Sequence, residues 1–195
     1  MRQIILLLIL SILLMGCTKT NNEEKLNNIY QKIEEGNTEE VLKLVNKKSI
    51  NEQAKGREPI ILYSASLGHE ELTLSLLDLE PEIDVKNHIG NTLLHIAAEN
   101  NMTSLTKELL ENYDFDINKK NKFSITPLFL AVLKDNLDIV KMLLEHKSDT
   151  NIGNEDGYSP LHEAITISLI CTTCMSSARS AATAEKSASL WYIYR

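Results

Sequence analysis

The stretch SPLHEA, residues 159–164, brings Ser159, His162 and Glu163 into one short run. A hydroxyl, an imidazole and a carboxylate this close read either as the beginning of a hydrolase site or as the beginning of a helix. Two related stretches decide between these readings. Thr92-Leu93-Leu94-His95-Ile96-Ala97-Ala98 and Thr126-Pro127-Leu128-Phe129-Leu130-Ala131-Val132 precede Ser159-Pro160-Leu161-His162-Glu163-Ala164-Ile165, with starts 34 and 33 residues apart. The slot of His162 is filled by His95, by Phe129 and, one copy earlier, by Leu62. A catalytic base does not exchange with phenylalanine or leucine. The slot is therefore structural, its ring packing and hydrogen-bonding between copies.

The other positions of the motif have equally local reasons. Thr92, Thr126 and Ser159 are good N-cap residues, whose hydroxyls are expected to accept from backbone N–H groups that a helix start leaves unpaired. Pro127 and Pro160 fall at the first helical position, where the missing N–H is harmless and the fixed φ suits a helix. Ala97, Ala98, Ala131 and Ala164 are small, so successive helices stack closely, and a larger side chain there would overpack the stack.

A second marker keeps the same phase. Gly36, Gly68, Asn101 and Asp135 are spaced by 32, 33 and 34 residues, and each is followed by an apolar pair: Leu44-Val45, Leu76-Leu77, Leu109-Leu110 and Leu143-Leu144. Ile139, Val140, Leu143 and Leu144 show the three-and-four spacing of a buried helical face. Each unit thus reads as a helix, a turn, a second helix and a projecting loop. In the first unit Leu26, Ile29, Tyr30 and Ile33 form one face without the capping motif before it, as expected of a unit that begins a stack. In the second, Pro59 stands one residue early relative to Ser64-Ala65 and Gly68, which predicts an irregular helix entry. The loops Asp84–Asn91, Asp116–Ile125 and Asp149–Tyr158 are rich in turn-forming Asn, Asp, Gly and Lys.

Motif and period together resemble the ankyrin repeat, whose first helix opens on T-P-L-H-x-A at a period of 33. The resemblance implies an all-α solenoid of stacked helix-turn-helix units with projecting loops. About four repeats and the first helix of a fifth fill residues 26–168. It also implies that loop tips and inner helices grip other proteins across an extended concave surface. The tips differ in charge: Lys119, Lys120 and Phe123 make one basic and aromatic, and Glu155, Asp156 and Tyr158 make the next acidic and aromatic. Asn91, Ile125 and Tyr158 precede the capping hydroxyls in a slot expected to be exposed, and they are the individual contact candidates. The expected partner is a protein of unstated identity, bound by a monomer; the alternative is a regulatory or toxin-neutralising subunit that sequesters an enzyme.

Composition narrows the field further. With 27 acidic against 20 basic residues the net charge is -7, which repels phosphate backbones and argues against nucleic acid. Aromatic residues are only 5%, leaving few flat anchors for bases or sugars. The chain carries no G-x-S-x-G, P-loop, H-E-x-x-H or glycine-rich dinucleotide turn, so neither a catalytic set nor a cofactor is expected. His69, His88 and His146 have no partners at metal-ligand spacing, and no metal site is expected either.

The two ends stand apart from this pattern. MRQIILLLILSILLMGC, residues 1–17, has one charge at Arg2 and an apolar run from Ile4 to Met15, the layout of an export signal. That run is shorter than the roughly 20 residues that span a bilayer comfortably. Leu14-Met15-Gly16-Cys17 resembles the lipobox of bacterial lipoproteins, which implies removal of residues 1–16 and acylation of Cys17. A multiply acylated cysteine would be a stable tether. Residues 17–25 then form a polar spacer, and the chain sits lipid-anchored at the cell membrane or outer membrane, facing the periplasm or exterior. A plain secretory signal or a short membrane anchor is the alternative. Residues 169–195 lose the asparagines of the array, gain Ser and Ala, and hold the single tryptophan, Trp191. They read either as a divergent closing segment or as the out-of-frame end of a coding sequence, in which case the chain would be a remnant. Cys171 and Cys174 form a C-x-x-C with no second copy, a weak basis for a redox or zinc site. A lone fifth helix from Ser159, apolar on its outer side, would leave one end of the stack exposed.

Overall fold

The computed structural model describes residues 22–165, which contain helices and no strand. In chain order the helices are α1 (22–34), α2 (Thr38–Leu44), α3 (Ile60–Ser66), α4 (Glu70–Leu77), α5 (Leu93–Glu99), α6 (Thr103–Asn112), α7 (Pro127–Leu133), α8 (Leu137–Glu145) and α9 (160–165), with one 3-10 turn at Ser49–Asn51. The first helices of successive pairs pack side by side, α5 between α3 and α7. The second helices do likewise, α4 against α2 and α6, and α6 against α8. Two helical layers result, joined within each pair.

The tight turn inside each pair follows from one backbone conformation. Gly36, Gly68, Asn101 and Asp135 all have positive φ, between 56° and 85°. Asparagine and aspartate tolerate this left-handed region better than other side chains, which is why they alternate with glycine here. Each first helix closes with a long bond from the residue after the turn: Asn37 N–H to Lys32 C=O, His69 to Ser64, Met102 to Ala97 and Asn136 to Ala131, all 2.9–3.1 Å. The second helices bury a two-residue stripe, Leu72/Leu76, Leu105/Leu109 and Ile139/Leu143, each almost fully shielded. The small slot is filled by Ser64, Ala97 and Ala131, none of which is exposed.

The helix entry at Pro59 is regular, contrary to expectation. Pro59 occupies the cap position itself, α3 begins at Ile60, and the Pro59 carbonyl accepts from Tyr63 N–H at 2.9 Å. No extra residue has to be absorbed, since Pro59 stands 33 residues before Thr92 in the slot of the capping hydroxyl; the chain reaches it through a turn at Gly56 (φ 75°), where Arg57 N–H donates to Ala54 C=O. Proline supplies no N–H and no side-chain acceptor, so this helix starts on backbone geometry alone.

The first pair is fastened to the second by a cluster around Arg57. Its guanidinium lies 5.2 Å from the Tyr30 ring centre and 5.5 Å from that of Tyr63, and Nη1 is 2.7 Å from Glu34 Oε1. The Tyr63 hydroxyl donates to the same carboxylate at 2.6 Å, and the Tyr30 hydroxyl donates to Glu58 C=O at 2.6 Å. Beneath them Leu26, Ile29, Tyr30 and Ile33 of α1 join Val41, Ile60, Leu72 and Leu76 in one apolar cluster. A second cluster runs from Ile61 through Leu94, Leu105 and Leu128 to Leu143.

Residues 22–25 were expected in the polar spacer, but they are helical and extend α1. All four are exposed, so burial does not order them. Glu23 and Glu24 stand near the start of α1, where negative charge suits the helix dipole. Residues 1–21, with the expected signal segment and Cys17, and residues 166–195, with Cys171, Cys174 and Trp191, lie outside the described residues. Among the described residues no helix is long and apolar enough to cross a membrane.

Candidate protein-binding surface

The projecting loops are built on three asparagines in phase with the repeats, Asn87, Asn121 and Asn154. Each Oδ1 accepts two backbone N–H groups, from the residues two and four positions on: Ile89 and Asn91, Phe123 and Ile125, Asp156 and Tyr158, at 2.9–3.1 Å. Each asparagine N–H donates in turn to the carbonyl four residues later, at Asn91, Ile125 and Tyr158. Between them Gly90, Ser124 and Gly157 take positive φ and close the tip. The loop residues were legible as turn formers in the sequence. The register of these asparagines was not read from it, although their spacing of 34 and 33 carries the same signal as the caps.

Adjacent loops are tied to one another. Lys122 N–H donates to Ile89 C=O at 3.0 Å, and Asn121 Nδ2 donates to Asn91 Oδ1 at 2.8 Å. Gly90 sits at this seam, where a Cβ would come within 3.0 Å of Lys122 N. One loop further, Asp149 N–H donates to Asn118 Oδ1 at 2.9 Å and Lys120 Nζ reaches Gly153 C=O at 3.4 Å. Buried Asn121 and the paired backbone hold the tips in fixed relative positions.

This seam corrects one contact candidate. Asn91 is only 3% exposed and its amide is consumed by Asn121, so it joins two loops and presents nothing to a partner. Ile125 is half-buried and its carbonyl accepts from His95 Nε2 at 3.1 Å. Lys119 is half-buried beside a shallow depression lined by Ile83, Asp84, Phe115 and Asp116. The projecting side chains are Lys120, Phe123, Glu155, Asp156 and Tyr158, with Phe123 50% and Tyr158 54% exposed. Large aromatics half in water on rigid loops are the exposed features of this surface least explained by packing.

The histidines of the motif perform a structural task. His95 is fully buried; its Nδ1 accepts the Thr92 N–H at 3.2 Å and lies 2.8 Å from Thr92 Oγ1, while Nε2 carries the proton donated to Ile125 C=O. The ring thus takes the place of the carboxylate in a capping box and also bridges to the next loop. Burial lowers its pKa to about 4, against the smaller opposing effect of the Ile125 bond, so it is neutral at pH 7. Where the slot holds Phe129, the Thr126 hydroxyl accepts directly from Phe129 N–H at 3.3 Å. The caps at Thr92 and Ser159 therefore both engage an imidazole, Thr92 holding the helix end as well, an arrangement sequence reasoning did not foresee.

The Ser159/His162 pair repeats that geometry. Ser159 Oγ is 2.8 Å from His162 Nδ1, and the Ser159 N–H points to the same nitrogen at 3.3 Å. A nitrogen already facing its own cap amide is poorly placed to take a proton from that serine during catalysis. The Tyr158 ring stands edge-on to His162 with centres 6.3 Å apart. Among the described residues no group of three or more His, Cys, Asp or Glu side chains is gathered as for a metal ion.

The family model of ankyrin repeats (3 copies) matches residues 28–121 and 94–169, and this chain belongs to the ankyrin-repeat family. A putative ankyrin repeat protein of Rickettsia bellii (strain RML369-C) is 39% identical over 84 residues, which cover 43% of this chain and 32% of that protein. A putative ankyrin repeat protein of fowlpox virus (strain NVSL) is 32% identical over 111 residues, covering 56% and 33%. Alpha-latrocrustotoxin-Lt1a of Latrodectus tredecimguttatus is 29% identical over 112 residues, covering 57% and 8%. The chain thus spans a third or less of these relatives' lengths. Ankyrin repeats generally mediate protein–protein interaction, and the fold seen here suits that role.

Proposed function

We propose that this protein is a non-enzymatic docking module, tethered to a bacterial cell membrane or outer membrane through an acylated Cys17, that captures a protein partner on its loop tips. Lys120 and Phe123 on one tip and Glu155, Asp156 and Tyr158 on the next provide the contact. The observation that carries the reading is the pair of half-exposed aromatics, Phe123 and Tyr158, on loops pinned by Asn121 and Asn154. Pinned loops lose little freedom on binding, so more of the contact energy appears as affinity. The neighbouring basic and acidic tips favour one orientation of a charged partner.

The tether rests on the apolar run and the Leu14-Met15-Gly16-Cys17 sequence. It is tested by the mass of the mature N-terminus: a chain beginning at acylated Cys17 is expected, and an unmodified chain retaining residues 1–16 contradicts it. The docking surface is tested with residues 22–195, which contain both apolar clusters, as bait for envelope proteins. A Phe123→Ser/Tyr158→Ser variant should lose a partner that the unaltered chain retains, while melting at the same temperature. Equal retention would remove these tips from the binding account.

A further inference from the structure

The two ends of the stack differ. At the beginning, α1 turns Asn27, Asn28, Gln31 and Glu34 outward, a polar face that closes the array. At the other end, apolar side chains lie open at slots that the earlier repeats shield, fully at the slot of Leu161 and at least in part at those of Leu144 and Ile165. Leu161 is 61% exposed, whereas Ile61, Leu94 and Leu128 in the same slot are 1–3% exposed. Leu144 is 44% exposed where Leu77 is 4%. Leu137 and Ile165 are also largely open, the latter in the slot of fully buried Ala65 and Ala98 and half-buried Val132. In the earlier repeats the slots of Leu161, Leu144 and Ile165 are covered wholly or in part by the following helix pair, whereas the slot of Leu137 holds Thr38, Glu70 and Thr103 and is wholly or partly open there too. The end of the array is therefore a notch with two apolar walls, α8 and α9.

The residues that would fill this notch in register are the wrong kind. One period after Ile139 and Leu143, the buried stripe of α8, the sequence has Thr172 and Ser176. We propose that the notch is an interface for a second copy of this chain. Only one end is apolar, so copies cannot add head to tail into a filament; two like ends meeting about a two-fold axis form a closed pair. The charges beside the notch suit such a pairing. Asp138, Lys141 and Glu145 alternate in sign along exposed α8, so in an antiparallel α8 pairing each lysine meets a carboxylate of the other copy. Four partly exposed aliphatic side chains are well short of an obligate interface, so the pair dissociates on dilution. It leaves the loop tips free, and the proposal is independent of what those tips bind.

Sedimentation equilibrium of residues 22–195 over about 1–100 µM, the range in which weak pairs dissociate, tests this. A reversible monomer–dimer equilibrium is expected. Leu144→Glu/Leu161→Glu should weaken it at least about tenfold, and Leu137→Lys should weaken it less. All these positions are exposed, and an unchanged melting temperature confirms that the variants fold. Phe123→Ser/Tyr158→Ser should dimerise like the unaltered chain. A chain that stays monomeric throughout, or a dimer that survives both notch variants, overturns the proposal. So does a monomer in which Trp191 emission is blue-shifted at every concentration and reverts in Leu144→Glu/Leu161→Glu, since the chain's own end would then fill the notch.

Discussion

His95 holds together three groups from two repeats, and that explains why its slot tolerates other residues only at a cost. Its neutral ring accepts from Thr92 and donates to Ile125. In His95→Phe the ring volume is kept, but the Thr92 N–H and the Ile125 carbonyl lose a partner, which should cost about 1–3 kcal/mol at pH 7. The pH dependence separates this from a packing effect. The folded pKa is lowered by burial to about 4 from an ordinary 6.5, so the unfolded chain takes up the proton first as pH falls. The contribution of His95 is complete above about pH 6.5 and is lost progressively towards pH 4, by on the order of 3 kcal/mol. Urea denaturation at a series of pH values should show the difference between native protein and His95→Phe shrinking over that window. Parallel curves would mean that His95 is not held neutral. At this scale the sequence told that His95 and His162 share a structural slot, because Phe129 and Leu62 occupy it too. It did not tell which atoms the imidazole meets, because Ile125 is 30 residues away and reaches the ring only once the repeats stack.

The helices were legible because each has a local cause within one period: a cap at Thr126, an apolar stripe such as Leu105/Leu109, a left-handed turn residue such as Asn101. The loops were legible only as composition. Their geometry depends on asparagine side chains substituting for backbone partners and on contacts between repeats, as at Asn91, which one loop's sequence cannot display. Gly90 and Gly157 make the distinction measurable. Both have positive φ, but only Gly90 has backbone within 3.0 Å of its missing Cβ. Gly157→Ala should cost about 1 kcal/mol through the left-handed conformation alone. Gly90→Ala should cost more, because it also parts Lys122 N–H from Ile89 C=O. Thermal melts of the two variants decide this, and equal losses would show that the seam between loops contributes nothing. Arg57→Ala is predicted to loosen the first pair selectively, since it removes two cation–π contacts of about 0.5–1 kcal/mol each from Tyr30 and Tyr63. Amide exchange should quicken in α1 and α2 while α5 and α7 are unaffected; uniform quickening would mean that the first pair is not fastened there.

Across the whole molecule, stability resides in contacts between neighbouring pairs, because no pair alone encloses its apolar side. The polar start and the apolar end of the array follow from the residues at repeated slots; the sequence signalled the first only through the missing capping motif before the Leu26/Ile29/Tyr30/Ile33 face, and the second through the apolar outer side of the helix from Ser159. What it withheld was the rigidity of the loops, and on that the functional account turns: a docking surface requires tips fixed in place before any partner arrives. Hydrogen exchange on residues 22–165 measures this directly. The amides of Ile89, Asn91, Phe123, Ile125, Asp156 and Tyr158, all bonded to asparagine side chains, should exchange far more slowly than in an open chain, with protection comparable to the α5 and α7 helices they adjoin. Loop amides exchanging at open-chain rates beside well-protected helices would contradict the account.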